Sequence, residues 1–363
     1  MKYIVQKSDK TPAYVQLYKQ VRDDIVNQIY PYNSKLPSKR IMSEETGVSV
    51  ITVEHAYSLL CDEGYIESHE RSGYIVIFRT DDGFVSSSKE EPNLIFPATH
   101  YEETTVEFPF SVFTKTMRNI ISNKGESILA RSPNLGCIEL REAIRKYLAR
   151  SRGIIADTEQ IIIGSGSEYL YSLIIELLGR NKIYAIESPS YKKIEQVYQA
   201  SEVQLQKLRL GENGIISEAL SSCYADILHI SPYRSYPSGV TATASKRHEY
   251  LRWAQNGNRY IIEDDFESEF SLSRKPEETL FSHSSENNVI YMNTFSKTIS
   301  PSLRVGYMVL PKQLAKRFNQ MLGFYSCTVP TYIQLVLCEL ISNGNFERHI
   351  NRVRRIKRKK TIL

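Results

Sequence analysis

The sequence predicts two domains of different class. A small α+β domain of helix, turn, helix and hairpin comes first, followed by a larger α/β domain on a mainly parallel, doubly wound sheet. Three observations predict this. Residues 1–78 show one helical repeat, a pair of short helical stretches split by a glycine, and two short strands. From about residue 96, short apolar runs alternate with helical stretches, as a parallel sheet with crossover helices requires. Three of those runs end in residues suited to anion binding or proton chemistry.

In the first domain, Tyr14, Leu17, Tyr18, Val21 and Ile25 recur at helical spacing and predict an amphipathic helix, which Pro31 and Asn33 break. Pro37 suits the entry to a second helix, and Gly47 allows a tight turn out of it. Ser49 is a natural N-cap for a third helix with Val53, Ala56, Tyr57 and Leu60 on its core face. Helix, glycine turn, helix is the helix-turn-helix layout. Two strands follow around a turn, near Tyr65-Ile66 and Tyr74-Ile75, and form a wing. Periodicity alone leaves open a DNA-binding domain or a small helical domain of other use. Residues 79–95, polar over most of their length and without periodicity, predict a flexible linker.

In the second domain a helical stretch runs through Leu140, Ile144 and Leu148. The run Gln160-Ile-Ile-Ile-Gly164-Ser-Gly166-Ser167 then predicts strand, glycine turn and helix start, an anion site made of free amides and a positive dipole end. Arg259 to Asp265 predicts a buried strand ending in carboxylates. Val289 to Met292 predicts another, delivering a turn with Thr294, Ser296 and Lys297, then Arg304 and Gly306. Lys297 taken alone reads as an ordinary solvated surface lysine. Hydroxyls at Thr294 and Ser296 beside Arg304, however, suit a phosphate dianion. A lysine next to bound phosphate is placed to form a Schiff base with an aldehyde cofactor. Carboxyl ends of parallel strands are where sites form, so Ser165, Tyr191, Asp264 and Lys297 are expected together.

Two resemblances sharpen these readings. Leu36-Pro37-Ser38-x-Arg40, Val48-Ser49-x-x-Thr52-Val53 and Glu63-Gly64-Tyr65-Ile66 resemble the GntR winged helix over residues 11–78. That resemblance implies DNA contacts from Ser38, Arg40, Ser49, Ile51, Thr52, His55 and Arg71. The helix from Ser49 would lie in the major groove, with Arg40 and the wing on phosphate. From about Phe96 the chain resembles a fold-type I pyridoxal-phosphate aminotransferase. The motifs Glu187-Ser-Pro-Ser-Tyr191, Ser231-Pro-Tyr-Arg-Ser-Tyr-Pro-Ser-Gly239, Glu263-Asp-Asp-Phe-Glu-Ser-Glu-Phe270 and Thr294-Phe-Ser-Lys297 are those of the MocR/GabR-type regulators. By resemblance Lys297 is the Schiff-base lysine and Asp264 pairs with the pyridine nitrogen of pyridoxal 5'-phosphate. Gly166, Ser167, Thr294, Ser296 and Arg304 would hold its phosphate. Tyr191 would stack on its ring, or is a plain core tyrosine.

The chain also departs from those families. Arginine is frequent in GntR domains where Val50 and Glu54 stand, so either the operator differs or binding is weaker. His55 and Arg71 either compensate or belong to a solvated face. MocR-type proteins usually have tyrosine at Phe266, which cannot donate a hydrogen bond, and histidine at Arg234. The stretch from Gly344 matches the helix that leads into a small C-terminal domain. Beyond Leu363 that domain, with the arginine that would clamp a substrate carboxylate, is expected to be missing.

Composition bounds the rest. The formal net charge is +5 over 363 residues. Residues 346–363 carry eight Lys/Arg and one Glu, whereas residues 1–80 carry ten basic and ten acidic side chains. The case for DNA therefore rests on motif, not bulk charge. The basic stretch reads as the helix leading to the small domain, exposed, or as a DNA-binding tail. Five scattered cysteines without C-x-x-C spacing predict reduced thiols and no metal site. No apolar run suits a membrane span or a leader, so a cytoplasmic protein is expected. The combined expectation is a homodimeric, DNA-binding transcription regulator sensing an amine, an amino acid or the cofactor itself through Lys297. The alternatives are an active aminotransferase and a truncated DNA-binding protein that responds to nothing.

Overall fold

The computed structural model describes residues 3–6, 11–69, 73–79, 108–257, 259–266, 268–271, 278–284 and 288–362. Arg71, most of the expected linker at 79–95, and Phe96 lie outside the described residues. The chain divides into two compact units, Met1–His100 and Tyr101–Leu363.

In the first unit, α1 (Ala13–Val26), α2 (Lys39–Thr46) and α3 (Val50–Asp62) precede the antiparallel hairpin of β1 (Ile66–His69) and β2 (Gly73–Val76). Ser38 caps α2 by accepting from the Ile41 amide, and Ser49 caps α3 by accepting from the Thr52 amide. Gly47 turns between them at φ 69°, a left-handed conformation that costs glycine nothing. Leu17, Val21 and Ile25 of α1 bury against Met42 and against Val53, Ala56, Tyr57 and Leu60 of α3, with Ile66 and Val76 closing the core. The helical spacing legible in the sequence is thus the packing face.

The second unit opens with α4 (Phe110–Lys124) and α5 (Ile138–Arg152). The strand-rich part follows in order: β3 (Ile161–Gly164), α6 (Ser167–Leu178), β4 (Ile183–Ser188), α7 (Lys192–Ala200), β5 (Gln204–Gly211), β6 (Gly214–Ile215), α8 (Ser217–Ser221), β7 (Ile227–Ile230), α9 (Ala244–Gln255), β8 (Tyr260–Asp264), α10 (Leu280–His283), β9 (Val289–Thr294) and β10 (Gly306–Val309). Three helices end the chain: α11 (Lys312–Leu322), α12 (Thr331–Ser342) and α13 (Asn345–Ile362).

The strands form one sheet in the order β3-β10-β9-β8-β7-β4-β5-β6. Its centre is parallel; β10 runs antiparallel to both neighbours and β6 is an antiparallel edge. Alternate residues feed opposite faces. Ile161, Ile163, Tyr291, Tyr307 and Val309 pack with α5, α12 and α13, whereas Ile162, Ile290, Met292 and Met308 pack with α6 and α11. Burial on both faces is why these strands read as unbroken apolar runs. The basic stretch near the end is α13, and it is anchored. Phe346, Ile350 and Val353 are buried at helical spacing, while Arg352, Arg355, Arg358 and Lys359 face outward.

Candidate cofactor site and DNA-reading helix

Register assembles the site. Thr294 at the end of β9 pairs with Gly306, and Gly306 pairs with Gly164 at the end of β3. Three segments far apart in sequence therefore meet in one row: the glycine turn into α6, the turn carrying Lys297, and the segment from Ser300 to Arg304 that enters β10. The amide of Phe295 donates to the Val305 carbonyl at 2.8 Å and ties the last two together.

Gly166 sits at φ 93°, and a Cβ there would lie 2.7 Å from Nη2 of Arg304. The guanidinium therefore lies over bare backbone at the start of α6, whose first amides have no intrahelical partner. Arg304 is itself left-handed at φ 49°. Its guanidinium pairs with Glu168, which also accepts from Lys193 Nζ at 3.1 Å. Partial burial favours the neutral acid, but the hydrogen bonds from Arg304, its own amide and Lys193 prevail and hold the Glu168 carboxyl down at about 2. Ser167, Thr294 and Ser296 are half-buried along the same row.

The three consecutive carboxylates at the end of β8 go to three places. Glu263 accepts from the amides of Leu280 at 2.8 Å and Phe281 at 2.9 Å; burial and the nearby charge of Asp265 push its carboxyl up to about 8. Asp265 forms an ion pair with Arg152, its Oδ2 2.9 Å from Nε, and accepts from the Tyr291 hydroxyl at 2.6 Å. Asp264 takes the hydroxyl of Tyr171 on Oδ2 at 2.5 Å. His229 Nε2 on neighbouring β7 lies 3.6 Å from the same oxygen, and Nδ1 is 2.7 Å from the Tyr198 hydroxyl. With Tyr198 donating, the imidazole proton sits on Nε2 and faces Asp264. Tyr171, Tyr198 and His229 were not singled out in the sequence. Their only signal there is polar groups inside apolar runs.

Lys297 is exposed, with Nζ 5.6 Å from the centroid of the Phe266 ring. Phe266 thus stands beside the lysine and brings no hydroxyl to it. Tyr191 stands at the residue before α7, half-buried, edge-on to Tyr236 with ring centroids 5.8 Å apart. Buried Glu187 joins the two motifs that carry these tyrosines. It accepts from Ser235 Oγ at 2.6 Å and the Ser231 amide at 3.3 Å, and burial pushes it up to about 7. Arg234 is exposed in a left-handed turn at φ 52°.

In the first unit, Ile51 is 65% exposed and Val50 41%, both on the opening turn of α3. Arg40 and His55 are also exposed, His55 edge-on to Tyr14 at 5.8 Å. Ser38 and Ser49 use their hydroxyls as caps, and Thr52 Oγ1 is 2.9 Å from Ser49 Oγ. Glu54, the acidic residue on this face, pairs with Lys39 of α2 at 2.7 Å. Its charge is thereby offset within the protein.

The donor set fits a phosphorylated aldehyde cofactor. A guanidinium and the amides of a helix start surround a seat without Cβ, a lysine stands at the adjacent strand end, and a buried carboxylate lies one strand further. When bound, pyridoxal phosphate supplies an aldehyde that condenses reversibly with amines and a ring that withdraws electrons. Among the described residues no helix is long and apolar enough to cross a membrane.

Comparison with known proteins agrees with both halves. The family model described as bacterial regulatory proteins, gntR family, matches residues 13–76. The model described as aminotransferase class I and II matches residues 104–363. The chain is 33% identical over 361 residues to the uncharacterized HTH-type transcriptional regulator YdeL of Bacillus subtilis, covering 97% of this chain and 78% of that protein. It is 26% identical to the probable rhizopine catabolism regulatory protein MocR of Rhizobium meliloti, over 97% and 76%. Among solved structures, kynurenine aminotransferase of Pyrococcus horikoshii, solved with PMP, matches with a TM-score of 0.62 at 27% identity. That match covers 68% of this chain and 64% of the enzyme, so less than two thirds of the aminotransferase is spanned. With a gntR-type winged helix at its start and an aminotransferase class I and II domain over most of its length, the chain belongs to the MocR/GabR-type HTH transcription regulators.

Proposed function

We propose that this regulator binds pyridoxal 5'-phosphate at Lys297 and reads out an amine, an amino acid or the cofactor itself as a change in DNA binding. In this reading residues 1–78 are the DNA-binding domain, 79–95 the linker and 96–363 the sensor, acting as a homodimer on a duplex operator. One observation carries it. The sheet register sets Gly164, Gly306 and Thr294 in one row, Gly166 lies against Arg304, Lys297 follows β9 and Asp264 ends adjacent β8. Gly166, Ser167, Thr294, Ser296 and Arg304 would hold the phosphate. Lys297 Nζ would condense with the aldehyde and release water, and Tyr191 would flank the ring. Asp264 would keep the ring nitrogen protonated, its own position set by Tyr171 and His229. A signal arises because a ligand that differs in affinity between two domain arrangements shifts their populations.

The DNA face would use Arg40 on phosphate and Ile51, Thr52 and His55 toward bases. Ser38 and Ser49 are committed to caps and would act mainly by shaping the helix starts. An aminotransferase is the second reading, favoured by the presence of both Lys297 and Asp264. Phe266 counts against it, since no hydroxyl reaches the cofactor's phenolic oxygen from that position. Borohydride reduction of cofactor-treated protein followed by peptide mapping tests the assignment. The adduct is expected on Lys297 and absent in Lys297→Ala; an adduct elsewhere, or none at saturation, refutes it. Rapid conversion to the pyridoxamine form by an amino acid would favour the enzyme.

A further inference from the structure

Resting on that cofactor reading, we propose that Glu168 is a built-in rival of the cofactor's phosphate, its carboxylate holding the donors that the phosphate would use. Glu168 is the second residue of α6 and is half-buried. Its carboxylate accepts from the Arg304 guanidinium, from Lys193 Nζ at 3.1 Å and from its own backbone amide. An acid in the first turn of a helix needs no partner beyond the helix dipole. This one instead meets an arginine 136 residues away, over a glycine whose missing Cβ leaves the guanidinium room. An anion's seat is already taken by an anion.

A phosphate carrying nearly two negative charges is the stronger acceptor for a guanidinium, so it can displace the carboxylate from Arg304. Glu168 then remains beside it as a like charge, with Lys193 as its remaining cation. Affinity is lowered rather than abolished. The consequence suits a sensor. A weakened site fills in proportion to free ligand instead of staying saturated, so stability and conformation follow the ligand's concentration.

The test is a titration of the full chain and of Glu168→Gln with pyridoxal phosphate, read by visible absorbance and by thermal unfolding. Unphosphorylated pyridoxal serves as the parallel ligand. Glu168→Gln is expected to bind pyridoxal phosphate about two- to fivefold tighter, the scale of one partly exposed charge interaction. The gain should shrink as salt rises, and pyridoxal affinity should be unchanged. Glu168→Ala should behave alike, which guards against one variant being misfolded. Equal affinity for pyridoxal phosphate in wild type and both variants overturns the proposal. So does an equal gain for pyridoxal, since that effect would not involve phosphate. If neither wild type nor variants form any adduct on Lys297, the cofactor reading itself has failed and the proposal falls with it.

Discussion

Replacing Arg152 by methionine removes the cation from a buried cluster just behind the candidate site. Arg152 is 6% exposed and pairs with fully buried Asp265 at 2.9 Å; it also donates to the Ser268 hydroxyl. Glu263 and Glu269 lie in the same seam, and burial pushes the carboxyl of each upward. Asn293 donates to Glu269 at 2.7 Å and Arg354 to the Glu269 carbonyl at 2.5 Å. Without Arg152, Asp265 keeps only the Tyr291 hydroxyl among these donors. For unit charges about 4 Å apart, an effective dielectric near 20 gives about 4 kcal/mol. Breaking one side of a buried pair typically costs about 3–5 kcal/mol. At roughly 2–4 °C per kcal/mol for a unit of this size, Arg152→Met should lower the melting temperature by about 8–16 °C near pH 8.

The loss should be smaller at pH 5.5. Carboxyls whose folded pKa is raised bind more protons folded than unfolded, so their contribution is present at low pH and is lost as pH rises. Glu263, at about 8, places that loss between roughly pH 4.5 and 8 in the wild type, and the variant should steepen it. Circular dichroism melts of both proteins at the two pH values decide the matter. A drop under 2 °C at pH 8, or a larger drop at pH 5.5, would refute the reasoning.

Four further outcomes are expected. Phe266→Tyr puts a hydroxyl near Lys297 and should lower the pH at which the cofactor-bound chromophore titrates; an unchanged absorbance titration counts against it. Gly166→Ala forces a side chain into a glycine-only conformation against Arg304, costing about 1–3 kcal/mol and weakening pyridoxal phosphate at least tenfold by absorbance titration. Arg40→Ala should weaken DNA binding across sequences and flatten its salt dependence. Ile51→Ala should instead lose preference for thymine, and thymine-to-uracil substitution in the operator should reproduce that loss in wild type, because exposed aliphatic side chains read the thymine methyl. Fluorescence anisotropy on matched duplexes measures both.

Local chemistry made much of this protein legible before any fold was known. Gly47, Ser49 and the apolar spacing of α3 act within a few residues, so turn, cap and buried face follow from the sequence directly. The same holds for the glycine turn into α6 and the Thr-x-Ser-Lys turn after β9, whose residue types suit the phosphate and amine chemistry proposed for them. Strand order was not legible, because it depends on which apolar faces pack across the whole sheet. That order sets Gly164, Gly306 and Thr294 in one row and puts His229 of β7 behind Asp264 of β8. Alternation along β8 predicts that Asp264 parts from Glu263 and Asp265. Which of them meets Tyr171 depends on α6 covering that face. The pairing of Glu168 with Arg304 lies furthest from sequence reasoning. The two are 136 residues apart, and only the close approach allowed at Gly166 brings the acid to the guanidinium proposed to hold the phosphate.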